Sequence, residues 1–127
     1  MVFTPLKKKI LITGKSSRFC KFLKNDLKKF NTIFASKKMF DVCNYNKMKN
    51  FIKNKNIKYL IHVAGLSRPM DIHDKKINLS IDLNIIGTAN IVKLCNEFKI
   101  KLIYFSTNYV YPGTRGNYKE TDPLLPI

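Results

Sequence analysis

The sequence predicts an α/β fold, a doubly wound parallel sheet that stops after its fifth strand, and three observations carry that reading. Short β-branched apolar runs alternate with amphipathic stretches along the chain, which is the order of strand and helix in parallel sheets. The runs are too short for buried helices and are closed by Gly or polar turn residues. The chain has 127 residues, 45% of them hydrophobic, enough for one domain that buries roughly two-thirds of its unfolded surface without disulfides.

Taken in order, Lys9 to Thr13 is the first strand, closed by Gly14. Phe19, Phe22, Leu23, Leu27 and Phe30 then recur at helical spacing between a Ser16 or Ser17 N-cap and Asn31, with Lys on the opposite side. Thr32 to Ala35 reads as the second strand and Met39 to Cys43 as a third, with Lys37 and Lys38 in the turn between them. A helix is expected over Tyr45 to Lys55, where Met48, Phe51 and Ile52 share a side, and the clearest strand follows at Lys58 to Ala64. Asp74 to Phe98 carries two periods at once. Ile77, Leu79, Ile81, Leu83 and Ile85 alternate like a strand, whereas Ile85, Ala89, Val92 and Cys95 keep helical spacing; with no Pro to interrupt it, the stretch is expected as one long helix. Lys101 to Ser106 is the last strand, followed by a Pro112-Gly113 turn and a Pro-rich end. No repeat or linker divides the chain, so residues 1–127 form a single domain.

Composition narrows the partners. The chain has 24 Lys and Arg against 8 Asp and Glu, a formal charge of +16. Only Arg18, Arg68 and Arg115 are Arg, the residue suited to bidentate reading of bases. The Lys excess fits a skewed base composition in the gene, and zinc-finger spacing, RNA-binding aromatics and basic-region heptads are all missing, so no nucleic acid partner is expected. A phosphate-bearing small molecule fits the charge. No apolar run approaches the roughly 20 residues of a membrane span, and Met1 to Lys9 lacks the apolar centre of a signal peptide. No membrane partner and a cytoplasmic location are expected. Cys20, Cys43 and Cys95 are too scattered for a disulfide framework, no metal-ligand spacing occurs, and the thiols are expected to be buried.

In parallel sheets, ligands bind beyond the carboxyl ends of the strands. The turn from Thr13 to Cys20 joins the first strand to the first helix, where free N–H groups and the helix dipole attract phosphate. The glycine fingerprint of such turns would place Gly at 14, 17 and 20, and only Gly14 is present. Ser17 sets a Cβ where a pyrophosphate would approach but offers a hydroxyl, Ser16 adds another, and Lys15 and Arg18 add cations. After the second strand come Ser36, Lys37 and Lys38, where sites for NAD usually carry an acid. That cationic turn suits the 2′-phosphate of NADP and is equally what a lysine-rich surface would place there; NADP is slightly favoured over NAD.

The motifs together resemble the extended short-chain dehydrogenases/reductases that act on nucleotide sugars, most of all their dTDP-4-dehydrorhamnose reductase branch. The resemblance rests on Ile10-Leu11-Ile12-Thr13-Gly14, Phe40-Asp41-Val42, Leu60-Ile61-His62-Val63-Ala64-Gly65, Asn84 to Asn90, Phe105 to Tyr111 and Glu120-Thr121-Asp122-Pro123, in that order. It implies a Rossmann-like fold, NADP or NAD as cofactor and a nucleotide-sugar substrate whose 4-keto group is reduced by hydride transfer, with an epimerase or dehydratase of the same family as the alternative. It implies that Asp41 accepts from the adenine amino group, that Val42 packs beside the ring, and that Ala64 and Gly65 admit the phosphate-ribose portion. By the same resemblance Thr107 donates to the substrate carbonyl and Asn84 helps hold a water near the catalytic Lys. His62 is expected as a packed strand histidine and His73 as a surface residue at a helix entry.

The sequence departs from that family at one point. The family's proton donor is a Tyr followed four residues later by Lys, and no such pair follows Thr107, since Tyr118 is followed by Asp122. The chain is therefore expected to be the N-terminal part of a longer reading frame, or a decayed copy, that is inactive alone; it would also carry an uncovered sheet edge that favours self-association. A non-catalytic dinucleotide-binding module is the reading from a different class.

Overall fold

The computed structural model describes residues 8–126, so most of the stretch read for a targeting signal lies outside the described residues. Strands β1 (Lys9–Ile12), β2 (Thr32–Phe34), β3 (Ile57–His62) and β4 (Lys101–Tyr104) form one parallel sheet in the order β2-β1-β3-β4. Helices α1 (Arg18–Asp26), α2 (Tyr45–Ile52), α3 (Ile72–Lys75), α4 (Ile77–Ile81) and α5 (Gly87–Glu97) fill the connections. The chain reverses its direction across the sheet after β2, and right-handed crossovers then put α1 on one face and α2 with α5 on the other. The reversal leaves a crevice between the ends of β1 and β3.

Register explains the core. Leu11 pairs with Ile33 and Leu60, and Leu60 with Leu102, so one face presents a row of aliphatic side chains. Met48 and Ile52 of α2 and Ile91, Leu94 and Cys95 of α5 close over that row, and Leu11, Met48, Leu60, Ile91 and Leu94 are fully buried. Each such side chain contributes about 1.5–3 kcal/mol by leaving water. On the other face Ile12 is fully buried but Ile103 is 47% exposed. The ends of the helices are set by polar caps: Ser17 Oγ accepts from the Cys20 N–H at 3.1 Å, and Asn44 Oδ1 from the Lys47 N–H at 2.9 Å.

Three expectations are corrected. Met39 to Cys43 is not a strand, so the sheet has four strands among the described residues rather than five. Phe40 and Val42 are 3% and 4% exposed in the α2 and α5 core, and their burial two residues apart produced the alternation. The backbone there turns, with Ser36 O accepting from the Met39 and Phe40 N–H groups and Asp41 Oδ1 from the Cys43 N–H. The long helix is also broken: α3 begins at Ile72, Lys76 leaves helical geometry with φ −136° and ψ 59°, and α4 passes into a π-helical turn over Asp82–Ile86 before α5. Cys20 and Cys95 are buried, but Cys43 is exposed. Among the described residues no helix is long and apolar enough to cross a membrane.

Candidate functional site

Two hollows lie side by side at the carboxyl ends of the strands and share Val63, Ala64 and Gly65 as a common floor. The first, about 560 Å³, takes Gly14, Lys15, Ser16 and Ser17 from the turn after β1, and Ser36 and Lys37 from the turn after β2. Asp41 and Val42 of the following turn complete it. The second, about 520 Å³, lies toward β4 and takes His73, Asn84, Thr88, Thr107 and Tyr109. The structure thus gathers every candidate cofactor residue except Arg18 into one hollow, and both candidate catalytic residues into its neighbour. Arg18 opens α1, is exposed, and lies outside both linings.

The turn after β1 touches the exit of β3. Gly14 has φ +76°, and a Cβ there would stand 2.9 Å from the Ala64 backbone nitrogen, so only glycine fits both the conformation and the space. A Cβ on Gly65 would meet Asn84 Oδ1 at 3.3 Å. Small residues keep the floor open where a ligand backbone would cross from one hollow to the other.

Thr13 ties these strand ends together. Its Oγ1 accepts from the Val63 N–H at 3.1 Å and the Ala64 N–H at 3.0 Å, so its own proton goes to His62 Nδ1, 2.8 Å away. That leaves the ring proton on Nε2, which faces Thr88 Oγ1 at 3.4 Å. His62 is 2% exposed, and burial lowers its pKa to about 4, so the ring is neutral at pH 7. The packed strand histidine read from the sequence is what the structure contains.

The other groups are placed by similar local bonds. Asn84, in the π-helical turn, accepts from the Leu66 N–H at 2.8 Å and donates to Leu66 O at 2.9 Å, which fixes the loop after β3. One N–H of its amide remains free to donate. Thr107 lies beyond the end of β4, and its Oγ1 accepts from the Tyr109 N–H at 3.2 Å as the cap of a short 3₁₀ turn, leaving its proton free to donate. Asp41 holds the turn at Cys43, while Asn90 donates to Val42 O at 3.0 Å and locks the same turn to α5. Although Cys43 is exposed, partial desolvation of its thiol, aided by the neighbouring Asp41 and Asp82, pushes its pKa up.

Sequence reasoning missed two residues. Thr88 stands one helical turn after Asn84, a spacing that could have signalled it. His73 stands at the entry of α3, as expected, but is half-buried and lines the second hollow with its Nδ1 2.7 Å from Ser80 Oγ; the bend at Lys76 separates α3 from α4, so no local pattern announced that placement. Tyr45 and Lys49 on α2 have the Tyr-x-x-x-Lys spacing. Both engage Glu97, at 2.5 and 2.6 Å, outside both hollows. No cluster of His, Cys, Asp or Glu among the described residues could hold a metal ion.

Known proteins share this fold. The chain superposes on a dTDP-4-dehydrorhamnose reductase from Bacillus anthracis, solved in complex with NADP, with a TM-score of 0.86 and 27% identity, covering 96% of this chain and 44% of that one. The Clostridium acetobutylicum ortholog matches with a TM-score of 0.83 and 25% identity, over 93% of this chain and 43% of that one. Among curated relatives, methionine adenosyltransferase 2 subunit beta of Xenopus laevis is 34% identical over 68 residues, 54% of this chain and 20% of the relative. The chain thus spans less than half the length of these proteins. The family model described as the RmlD substrate binding domain matches residues 8–127, nearly the whole chain. On that match, and with a fold that superposes on the reductase structures, the chain belongs to the RmlD substrate binding domain family.

Proposed function

We propose that residues 1–127 are the cofactor-binding domain of an NAD(P)-dependent nucleotide-sugar reductase that reduces a 4-keto group by hydride transfer. The observation that carries this reading is the pair of hollows joined over Ala64 and Gly65, with a Gly14 that tolerates no Cβ. A dinucleotide has that shape: two flat ends joined by a charged bridge. The bridge would cross at Gly14, Ser16 and Ser17, just ahead of α1, where the Ser17 hydroxyl could donate while its N–H is held by Gly14 O at 2.9 Å. Asp41 and Val42 would hold the adenine end, and Lys37 with Ser36 would face the ribose 2′ position, where a cation favours NADP. The NADP held by the Bacillus anthracis reductase supports the cofactor class, as does the fold shared with a Thermus thermophilus UDP-glucose 4-epimerase solved with NAD. When bound, the nicotinamide supplies the hydride. Thr107 would donate to the substrate carbonyl, and Asn84 and His62 would hold the loop and strand that shape the second hollow.

Residues 108–127 hold no Tyr-x-x-x-Lys pair, so this segment by itself is expected to bind cofactor without turnover. Titration with NADPH, followed by nicotinamide fluorescence, tests the reading. Gly14→Val should abolish binding, and Lys37→Glu should weaken NADPH by about tenfold, roughly one ion pair's worth, while leaving NADH nearly unchanged. Failure of the parent chain to bind either cofactor, or a Gly14→Val chain that still binds, would overturn the proposal. A second reading, a non-catalytic dinucleotide module that joins a partner, is favoured by Ser17 and Cys20 in place of glycines and by the curated relative named as a subunit. Turnover of dTDP-4-keto-6-deoxy sugars by the whole reading frame separates the two.

A further inference from the structure

A groove at the opposite end of the sheet concentrates charge that the proposed function does not use. Lys9 opens β1, Lys58 is the second residue of β3 and Lys101 opens β4, while Lys8 precedes β1 and the loops before β3 and β4 add Lys55 and Lys99. In a parallel sheet these strand starts lie side by side, about 5 Å per strand. All six lysines line one groove of about 580 Å³ together with Tyr59 and three asparagines, and no carboxylate takes part. Among the described residues, the ion pairs engage Lys49, Lys75 and Arg115 and none of the six.

Composition does not account for the cluster. Lys makes up 21 of the chain's 127 residues but 6 of the 10 that line the groove. The parallel topology gathers them, which no reading of the chain in order would show. Like charges so close repel one another, and an anion with repeated charges relieves that better than a single phosphate, which reaches only one or two ammonium groups. Flat apolar surface adjoins the charge. Lys8 Nζ lies 5.9 Å from the centre of the half-buried Tyr59 ring, and Phe30, 48% exposed, shares with Lys8, Asn31 and Tyr59 a second groove on the open sheet face. Lysines that follow phosphates beside aromatic rings that stack bases are the means by which single strands are held without regard to sequence. The all-lysine lining, with no Arg, fits contact with backbone rather than base edges.

We propose that this groove binds single-stranded nucleic acid through its phosphates, at a site separate from the cofactor hollows. The test is fluorescence anisotropy of a labelled oligothymidylate of about 20 nucleotides against the 127-residue chain, from about 50 to 200 mM KCl. Six phosphate contacts predict a log–log salt slope of about −4 for a single strand. Changing Lys8, Lys9, Lys55, Lys58, Lys99 and Lys101 to Gln should lower affinity at least tenfold and flatten the slope. A matched variant, with Lys21, Lys24, Lys47, Lys53, Lys93 and Lys119 changed to Gln, carries the same net charge and should bind like the parent. Thermal melts check that each variant folds; if the groove variant does not, Lys55→Gln, Lys58→Gln and Lys101→Gln together should give about half the loss of slope. Equal loss in the matched variant would reduce the effect to overall charge and overturn the proposal. So would absence of binding at the lowest salt, displacement by saturating NADPH, or a duplex that binds as tightly as the single strand.

Discussion

Thr13 and His62 show how much one hydroxyl can organise. Thr13→Val would leave the Val63 and Ala64 N–H groups and His62 Nδ1 without partners, and each orphaned buried group costs about 1–3 kcal/mol. Urea denaturation should show a loss of about 3 kcal/mol or more, with Thr13→Ser recovering most of it. The ring itself sets a pH dependence. Folded His62 takes up a proton near pH 4, whereas the unfolded residue does so near 6.5, so the unfolded state binds the proton first. Stability is therefore flat above about pH 6.5 and falls toward pH 4 by up to about 1.4 kcal/mol per pH unit, a slope that should vanish in His62→Gln. At this level Gly14, Asp41 and Thr107 could be named in advance because each sits in a short motif after a strand or turn, and the structure places them in the two hollows. The sequence could not foresee the placement of His73, which depends on a backbone break at Lys76.

Helix and strand boundaries obey both local rules and tertiary demand. α5 ends in a Schellman arrangement in which the Ile100 N–H reaches Cys95 O at 2.8 Å and Lys99 takes φ 53°, a conformation suited to glycine. Lys99→Gly should raise stability by about 0.5–1 kcal/mol in a thermal melt, because the strain of a left-handed lysine is removed. Gly87→Ala should do the opposite despite the helix propensity of alanine, since its Cβ would stand 2.8 Å from Val42 Cγ2. The same Val42 shows why a strand was expected over Met39 to Cys43. Burial of alternate side chains is the pattern of a strand, but here a turn delivers Phe40 and Val42 into the helix-covered core without any neighbouring strand to bond.

The molecule as a whole leaves one sheet face partly open, where Ile103 and Phe105 are each 47% exposed. That face should drive concentration-dependent association of the 127-residue chain, and Ile103→Glu should suppress it in sedimentation without changing the far-ultraviolet circular dichroism. The order of strands and helices, the cap at Ser17 and the glycine turn after β1 were all set by the amino-acid sequence, because hydrophobic period, capping and glycine conformation act over a few residues. The fate of Met39 to Cys43, the fracture of the long helix, the meeting of Gly14 with Ala64 and the gathering of six lysines at the sheet's far end were not. Each depends on which segments become neighbours across the β2-β1-β3-β4 order, and contacts between residues distant in the chain arise from packing in three dimensions, which no local period encodes.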